Sequence, residues 1–194
     1  MAETDSELAV LCTVAELLAP GEPRVAEAVR EEVRGQGVDG WGVLVEALTG
    51  AVDGIERMAV IAAKDYPNSV RRQVESLAAY PTALSWDWCS SFDREHADDH
   101  PADYMEAFLE EVGEHAVTAG VVLATLEAGA YYLVFVTSSQ YDKLARQLAT
   151  IGRRAEVVRR GCWTNQGPGA AAAIRTWART QGRKVSVRGR LEPS

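Results

Sequence analysis

Two arginines separated by one glycine, Arg188-Gly189-Arg190, are the residues whose types and spacing indicate a chemistry most directly. Glycine has no side chain to hold the backbone away from the floor of a groove, and the flanking guanidinium groups can extend along it in opposite directions. The narrow minor groove of A·T-rich DNA concentrates the negative potential that attracts arginine. The triplet therefore predicts contact with the minor groove of A·T-rich DNA.

Further cations precede this triplet. They are Arg175, Arg179, Arg183 and Lys184. Cationic side chains beside a minor-groove contact commonly meet the flanking phosphates, which adds affinity without sequence information. We therefore expect these four residues to complete the DNA-binding set.

An alanine-rich amphipathic helix is expected to present the arginines. It starts near Ala170, carries Ile174 and Trp177 on its apolar side, and ends at Gly182, which can adopt the left-handed conformation that closes a helix. We call residues 170–194 the basic tail.

The basic tail resembles a known family. The matching residues are Ile174-Arg175, Trp177-Ala178, Gln181-Gly182, Val185-Ser186 and Arg188-Gly189-Arg190. In this order and spacing they resemble the C-terminal DNA-binding domain of the Lsr-type nucleoid proteins, the actinobacterial H-NS-like silencers. The resemblance covers about residues 170–191 and implies that Arg188, Gly189 and Arg190 enter the minor groove. That family continues with a second helix, whereas the sequence here ends at Ser194, so we expect a partial DNA-binding domain. The alternative is a basic tail that only aids solubility.

Charge is distributed unevenly along the chain. Residues 1–150 hold 10 Lys and Arg against 26 Asp and Glu, a net charge of −16, whereas residues 151–194 hold 10 against 2, a net charge of +8. Such asymmetry is typical of a polyanion-binding tail on an acidic domain. We expect the acidic part to be repelled by DNA, so that only the tail approaches it.

Length and composition indicate a soluble globular protein with an appendage. No window of the 194 residues approaches 18 consecutive apolar residues, which predicts no membrane span, and the first residues lack the pattern of a secretory signal. The three cysteines, Cys12, Cys89 and Cys162, lack metal-binding spacing. We expect reduced thiols and a cytoplasmic location.

Hydrophobic periodicity predicts an α+β fold with a mostly antiparallel sheet. A helical layer within residues 1–50 is followed by the order β-α-β-α-β-β-α-β within residues 57–160. The predicted strands are 58–63, 83–88, 121–126, 131–136 and 155–158. The predicted helices are 5–18, 23–34, 41–48, 67–80, 101–119 and 138–152, the last capped by Ser138 or Ser139. Residues 1–160 form the predicted acidic body, 161–169 a Gly/Pro linker and 170–194 the basic tail.

One acidic face belongs to the predicted helix 101–119. It carries Glu106, Glu110, Glu111 and Glu114. Charged helix faces are usually solvated, and we expect this one to be solvated as well.

Two weaker candidates concern enzymatic chemistry. His96 and His100 have the four-residue spacing of metal ligands on a helix, but Asp98-Asp99 and the following proline favour a solvated turn. Asp87 and Asp93 could form a carboxylate pair, although nothing in the sequence specifies their separation. Neither a Gly-rich phosphate loop nor a nucleophile elbow occurs, so we expect no cofactor.

These observations leave three hypotheses. The first is a non-enzymatic cytoplasmic protein that binds A·T-rich DNA through its tail, while its body mediates assembly or binds a partner. The second is a protein-interaction or immunity-like adaptor that uses its acidic surface. The third and weakest is a metal-dependent enzyme. Because one Arg-Gly-Arg triplet binds weakly alone, DNA binding predicts a homo-oligomer.

Overall fold

The computed structural model describes residues 2–36, 39–62, 67–99, 101–126 and 131–162. Within these residues a four-stranded antiparallel sheet is combined with seven α-helices, so the predicted α+β class is confirmed. In the described part of the chain, no helix has the length and hydrophobicity needed to cross a membrane.

The elements follow the predicted order, except that residues 83–88 form no strand and an additional helix spans Cys89–Glu95. The helices are α1 (Ala2–Leu18), α2 (Pro23–Gln36), α3 (Gly40–Glu46), α4 (Pro67–Glu75), α5 (Cys89–Glu95), α6 (Pro101–Thr118) and α7 (Ser138–Thr150), and a π-helical turn spans Ala47–Ala51. The strands are β1 (Ala59–Ile61), β2 (Val122–Thr125), β3 (Tyr131–Val136) and β4 (Glu156–Val157).

The sheet has the strand order β1-β3-β2-β4, and every neighbouring pair is antiparallel. Val122 lies opposite Val136 and Thr125 lies opposite Leu133, which confirms the predicted hairpin of β2 and β3. The predicted connection, residues 127–130, lies outside the described residues.

Alternating side chains of the strands fill two hydrophobic cores, one on each face of the sheet. On β3, Val134 and Val136 point into the core formed by α1, α2, α3 and α7. Leu133 and Phe135 point to the opposite face, where α4, α5 and α6 pack. This period of two is what a strand imposes on its side chains. It places α5 and α6 together on one side of the sheet.

The predicted strand 83–88 is wrong. The side chain of Ser85 accepts a hydrogen bond from the backbone N–H of Asp87, which bends the chain, and α5 begins at Cys89. The alternation that suggested a strand comes from Trp86 and Trp88, which both pack against Phe108 of α6. Two aromatic side chains two residues apart can reach one core from a turn as well as from a strand, so this short pattern was ambiguous.

The cap of α7 also differs from the prediction. Thr137, not Ser138 or Ser139, is the N-cap: its side chain accepts from the backbone N–H of Gln140, while the Gln140 side chain accepts from the backbone N–H of Thr137. This reciprocal pair is a capping box. The glutamine three residues after Thr137 was the sequence signal for it.

Candidate functional site

The residues predicted to contact DNA lie outside the described residues. They are Arg175, Arg179, Arg183, Lys184, Arg188, Gly189 and Arg190. The structure describes the chain up to Cys162, and Arg160 and Gly161 lie against the acidic face of α6.

Three glutamates of α6 bind two consecutive residues of the chain, Arg160 and Gly161. The backbone N–H of Arg160 donates to Glu114 at 3.1 Å, and its guanidinium donates to both carboxylate oxygens of Glu111 at 2.9 and 3.3 Å. The backbone N–H of Gly161 donates to Glu110 at 3.0 Å. The neighbouring glutamates, Glu111 first, raise the pKa of the Arg160 guanidinium. The expectation that this face is only solvated is therefore wrong for these three residues.

A glycine of α6 allows the chain before Arg160 to come close to the helix. A Cβ atom at Gly113 would lie 2.1 Å from the carbonyl oxygen of Val158, a distance that no side chain tolerates. Val158 itself is buried in the core formed with α6. Residues 158–161 are thus held against α6 both by packing and by hydrogen bonds.

A groove of about 410 Å³ opens between α5 and α6 beside these contacts. Its lining combines aromatic rings with carboxylates and one cation: Trp88, Phe92, His96, Glu95, Glu110, Glu111 and Arg160, with Ser91 and Ala107. The ring of His115 stacks on Trp88 with centroids 5.1 Å apart, and His96 stacks on Phe92 at 4.1 Å. Aromatic faces next to carboxylates can bind an organic cation.

The structure describes only some residues of the weaker enzymatic candidates. Nδ1 of His96 lies 2.8 Å from Oδ2 of Asp99, while His100 lies outside the described residues. No group of three or more His, Cys, Asp or Glu residues that could hold a metal ion occurs in the described ranges. Asp87 is exposed, and Asp93 accepts a hydrogen bond from the hydroxyl of Tyr104. Burial, and after it this hydrogen bond, raises the pKa of the Tyr104 phenol.

Sequence reasoning did not identify the individual contacts of Arg160 and Gly161 with α6, because the partners are 46 to 51 residues apart in the chain. Only a general signal for this contact was present in the sequence, the complementary charge of the two regions. An acidic helix face and a basic C-terminal region of one chain attract each other, but charge alone does not specify which glutamate meets which arginine.

Comparison with known protein families finds a match for each of the two parts of the chain. No curated protein and no solved structure matches it. Residues 166–194 match the family model described as the Lsr2 DNA-binding domain, which confirms the resemblance seen in the basic tail and suggests that the chain binds DNA. Residues 11–158, most of the acidic body, match the model described as Domain of unknown function (DUF6630), and the chain belongs to that family.

Proposed function

We propose that this protein is a non-enzymatic, cytoplasmic DNA-binding protein whose basic tail contacts the minor groove of A·T-rich DNA. The single observation that carries the proposal is the match of residues 166–194 to the Lsr2 DNA-binding domain. The charge distribution supports it, since residues 151–194 carry +8 on a chain whose net charge is −8.

Within the tail, Arg188 and Arg190 extend along the groove floor and Gly189 permits the close approach of the backbone between them. The other tail cations, Arg175, Arg179, Arg183 and Lys184, contact phosphates. Arg188 and Arg190 set the preference for a narrow groove. The phosphate contacts of the other cations add affinity, which falls as the salt concentration rises.

The acidic body does not bind DNA in this proposal. Residues 1–150 carry a net charge of −16, which repels the phosphate backbone. The body instead mediates assembly with further copies or binds a protein partner. An acidic surface increases the rate at which a cationic protein associates, so a basic partner fits the body better than an acidic one.

The test is titration of a fluorescein-labelled A·T-rich duplex, followed by anisotropy, with the native chain and with the R188A/R190A variant. Because the variant lacks both guanidinium groups that contact the groove, we expect its affinity for the duplex to fall by about ten-fold or more. Its preference for A·T-rich over G·C-rich duplex should disappear as well.

A matched control is R24A/R94A, which removes two exposed arginines from α2 and α5 and changes the net charge equally. We expect this variant to bind about as well as the native chain, because neither arginine lies in the tail. Equal binding by R188A/R190A and the native chain would show that the triplet is not the contact.

A further inference from the structure

We infer that the pocket between α1 and α2 binds a free amino acid with an apolar side chain. In this site Arg30 and Arg34 of α2 hold the α-carboxylate of the ligand, and Glu16 of α1 holds its α-ammonium group. The site lies in the acidic body and goes beyond the proposed function, because it does not depend on DNA binding by the tail.

The pocket opens between two helices whose buried residues belong to the same hydrophobic core. Its volume of about 350 Å³ is at the lower end of the range of about 300–1,000 Å³ found for small-molecule sites, which suits a ligand of the size of an amino acid. The residues that line it are Leu8, Ala9, Cys12, Thr13 and Glu16 of α1 with Arg30 and Arg34 of α2.

Two guanidinium groups converge on this pocket. Arg30 and Arg34 are four residues apart and therefore lie on the same side of α2. Burial raises the pKa of the Cys12 thiol, and both guanidinium groups act against that rise, so both lie near the same sulfur atom. Guanidinium groups donate paired hydrogen bonds to the two oxygens of a carboxylate. The α2 side of the pocket is thus suited to a carboxylate ligand.

The charged side chains of the pocket form no ion pair with each other or with another described residue. The ion pairs of the described residues include none of Arg30, Arg34 and Glu16. Arg30 is half-buried, and a guanidinium removed from water is favoured by an anion beside it. Opposite charges that line one pocket without meeting fit a ligand that carries both charges, as a free amino acid does.

The rest of the lining is apolar or already hydrogen-bonded within the protein. The Cys12 thiol donates to the carbonyl of Ala26 at 3.6 Å, and the Thr13 hydroxyl donates to the carbonyl of Ala9 at 2.9 Å. Leu8 and Ala9 add aliphatic surface. A ligand side chain at this wall finds no free donor, so an apolar side chain fits better than a polar one.

Isothermal titration of the full chain with L-leucine, L-valine and L-methionine tests the site. N-acetyl-L-leucine and L-leucinamide are the matched probes, since the first lacks the ammonium group and the second lacks the carboxylate. We expect the native chain to bind L-leucine about ten-fold or more tightly than either derivative, because each derivative leaves charged groups of the pocket without a partner.

Variants assign the two halves of the ligand to their residues. We expect R30A/R34A to bind L-leucine about ten-fold or more weakly and to lose the preference over L-leucinamide. E16Q should instead lose the preference over N-acetyl-L-leucine and keep the other. R34A changes only an exposed side chain, so it keeps the test valid if the double variant does not fold. R24A/R94A removes two arginines outside the pocket, and we expect it to bind L-leucine like the native chain.

Three results would overturn the site or its ligand. The first is that none of the three amino acids binds to the native chain. The second is that R34A and R30A/R34A bind L-leucine as tightly as the native chain. The third is that acetate binds as tightly as L-leucine, which would show a simple anion site. The duplex titration of the proposed function is a separate measurement, so the two proposals fail or hold independently.

Discussion

Asp53 and Arg57 form an ion pair in which the guanidinium is buried. The Arg57 side chain is 6% exposed, and its two terminal nitrogens donate to the two carboxylate oxygens of Asp53 at 2.9 and 2.8 Å. The hydrogen bond from Arg57 is the main reason why the pKa of Asp53 lies below its ordinary value. Removing one partner of such a pair leaves a buried charge without its counterion.

We therefore predict that Asp53→Asn lowers the free energy of unfolding by about 2 kcal/mol near neutral pH. Since the pKa of Asp53 is lowered on folding, the pair contributes its full stability above the unfolded value of about 4 and loses it as the pH falls through the folded value. The difference between native chain and variant should thus shrink below about pH 4. Urea denaturation of both proteins at several pH values measures this difference in the free energy of unfolding.

The exposed Asp98 provides the control for this prediction. Asp98→Asn removes the same charge from a surface turn, and we expect it to change stability little. A loss of equal size in both variants would mean that net charge, and not the buried pair, stabilises the fold.

At the scale of elements, dense or repeated apolar patterns predicted the structure better than sparse ones. The predicted strands 121–126 and 131–136 are apolar at nearly every position, and the predicted helices 101–119 and 138–152 repeat their apolar residues over several turns. In residues 83–88 the apolar pattern depended mainly on the indoles of Trp86 and Trp88. Their N–H groups form hydrogen bonds with nearby residues: Trp86 donates to the hydroxyl of Tyr80 and Trp88 to the carbonyl of Ser85. These bonds depend on how the chain turns, which periodicity does not encode.

The packing of α6 against the chain at Val158 leads to the next prediction. We expect Gly113→Ala to destabilise the protein by several kcal/mol, because its Cβ would overlap the Val158 carbonyl, which is backbone and has little room to move. The contacts of Arg160 and Gly161 with the glutamates should be lost with it. Thermal unfolding and amide hydrogen exchange of residues 156–162 measure the two effects.

Gly42→Ala is the matched control. Gly42 also lies in a helix, but a Cβ there would meet only the Asp39 side chain at an ordinary distance of 3.6 Å. Alanine is the better helix former, so this variant should be as stable as the native chain or slightly more so. A Gly113→Ala variant of native stability and native exchange would contradict the close approach.

At the scale of the whole molecule, the sequence predicted the separation of charge and the candidate function of the tail. It did not specify which glutamates of the body meet Arg160 and Gly161. The aromatic side chains of α5 and the glutamates of α6 come together only because β1, β2 and β3 bring both helices to one face of the sheet. No local pattern in the sequence predicts contacts that depend on the tertiary fold.

The last prediction concerns the number of copies that act together on DNA. One tail offers six cations, and such contacts give non-specific dissociation constants of about 10⁻⁴–10⁻⁶ M at physiological salt. If the body assembles copies of the chain, a duplex with two A·T tracts should bind about 10²-fold or more tightly than a duplex of equal length with one tract. Anisotropy titration of both duplexes, with sedimentation velocity of the free protein, measures this. A difference of only about two-fold, the statistical factor for two independent sites, would show that each copy binds alone.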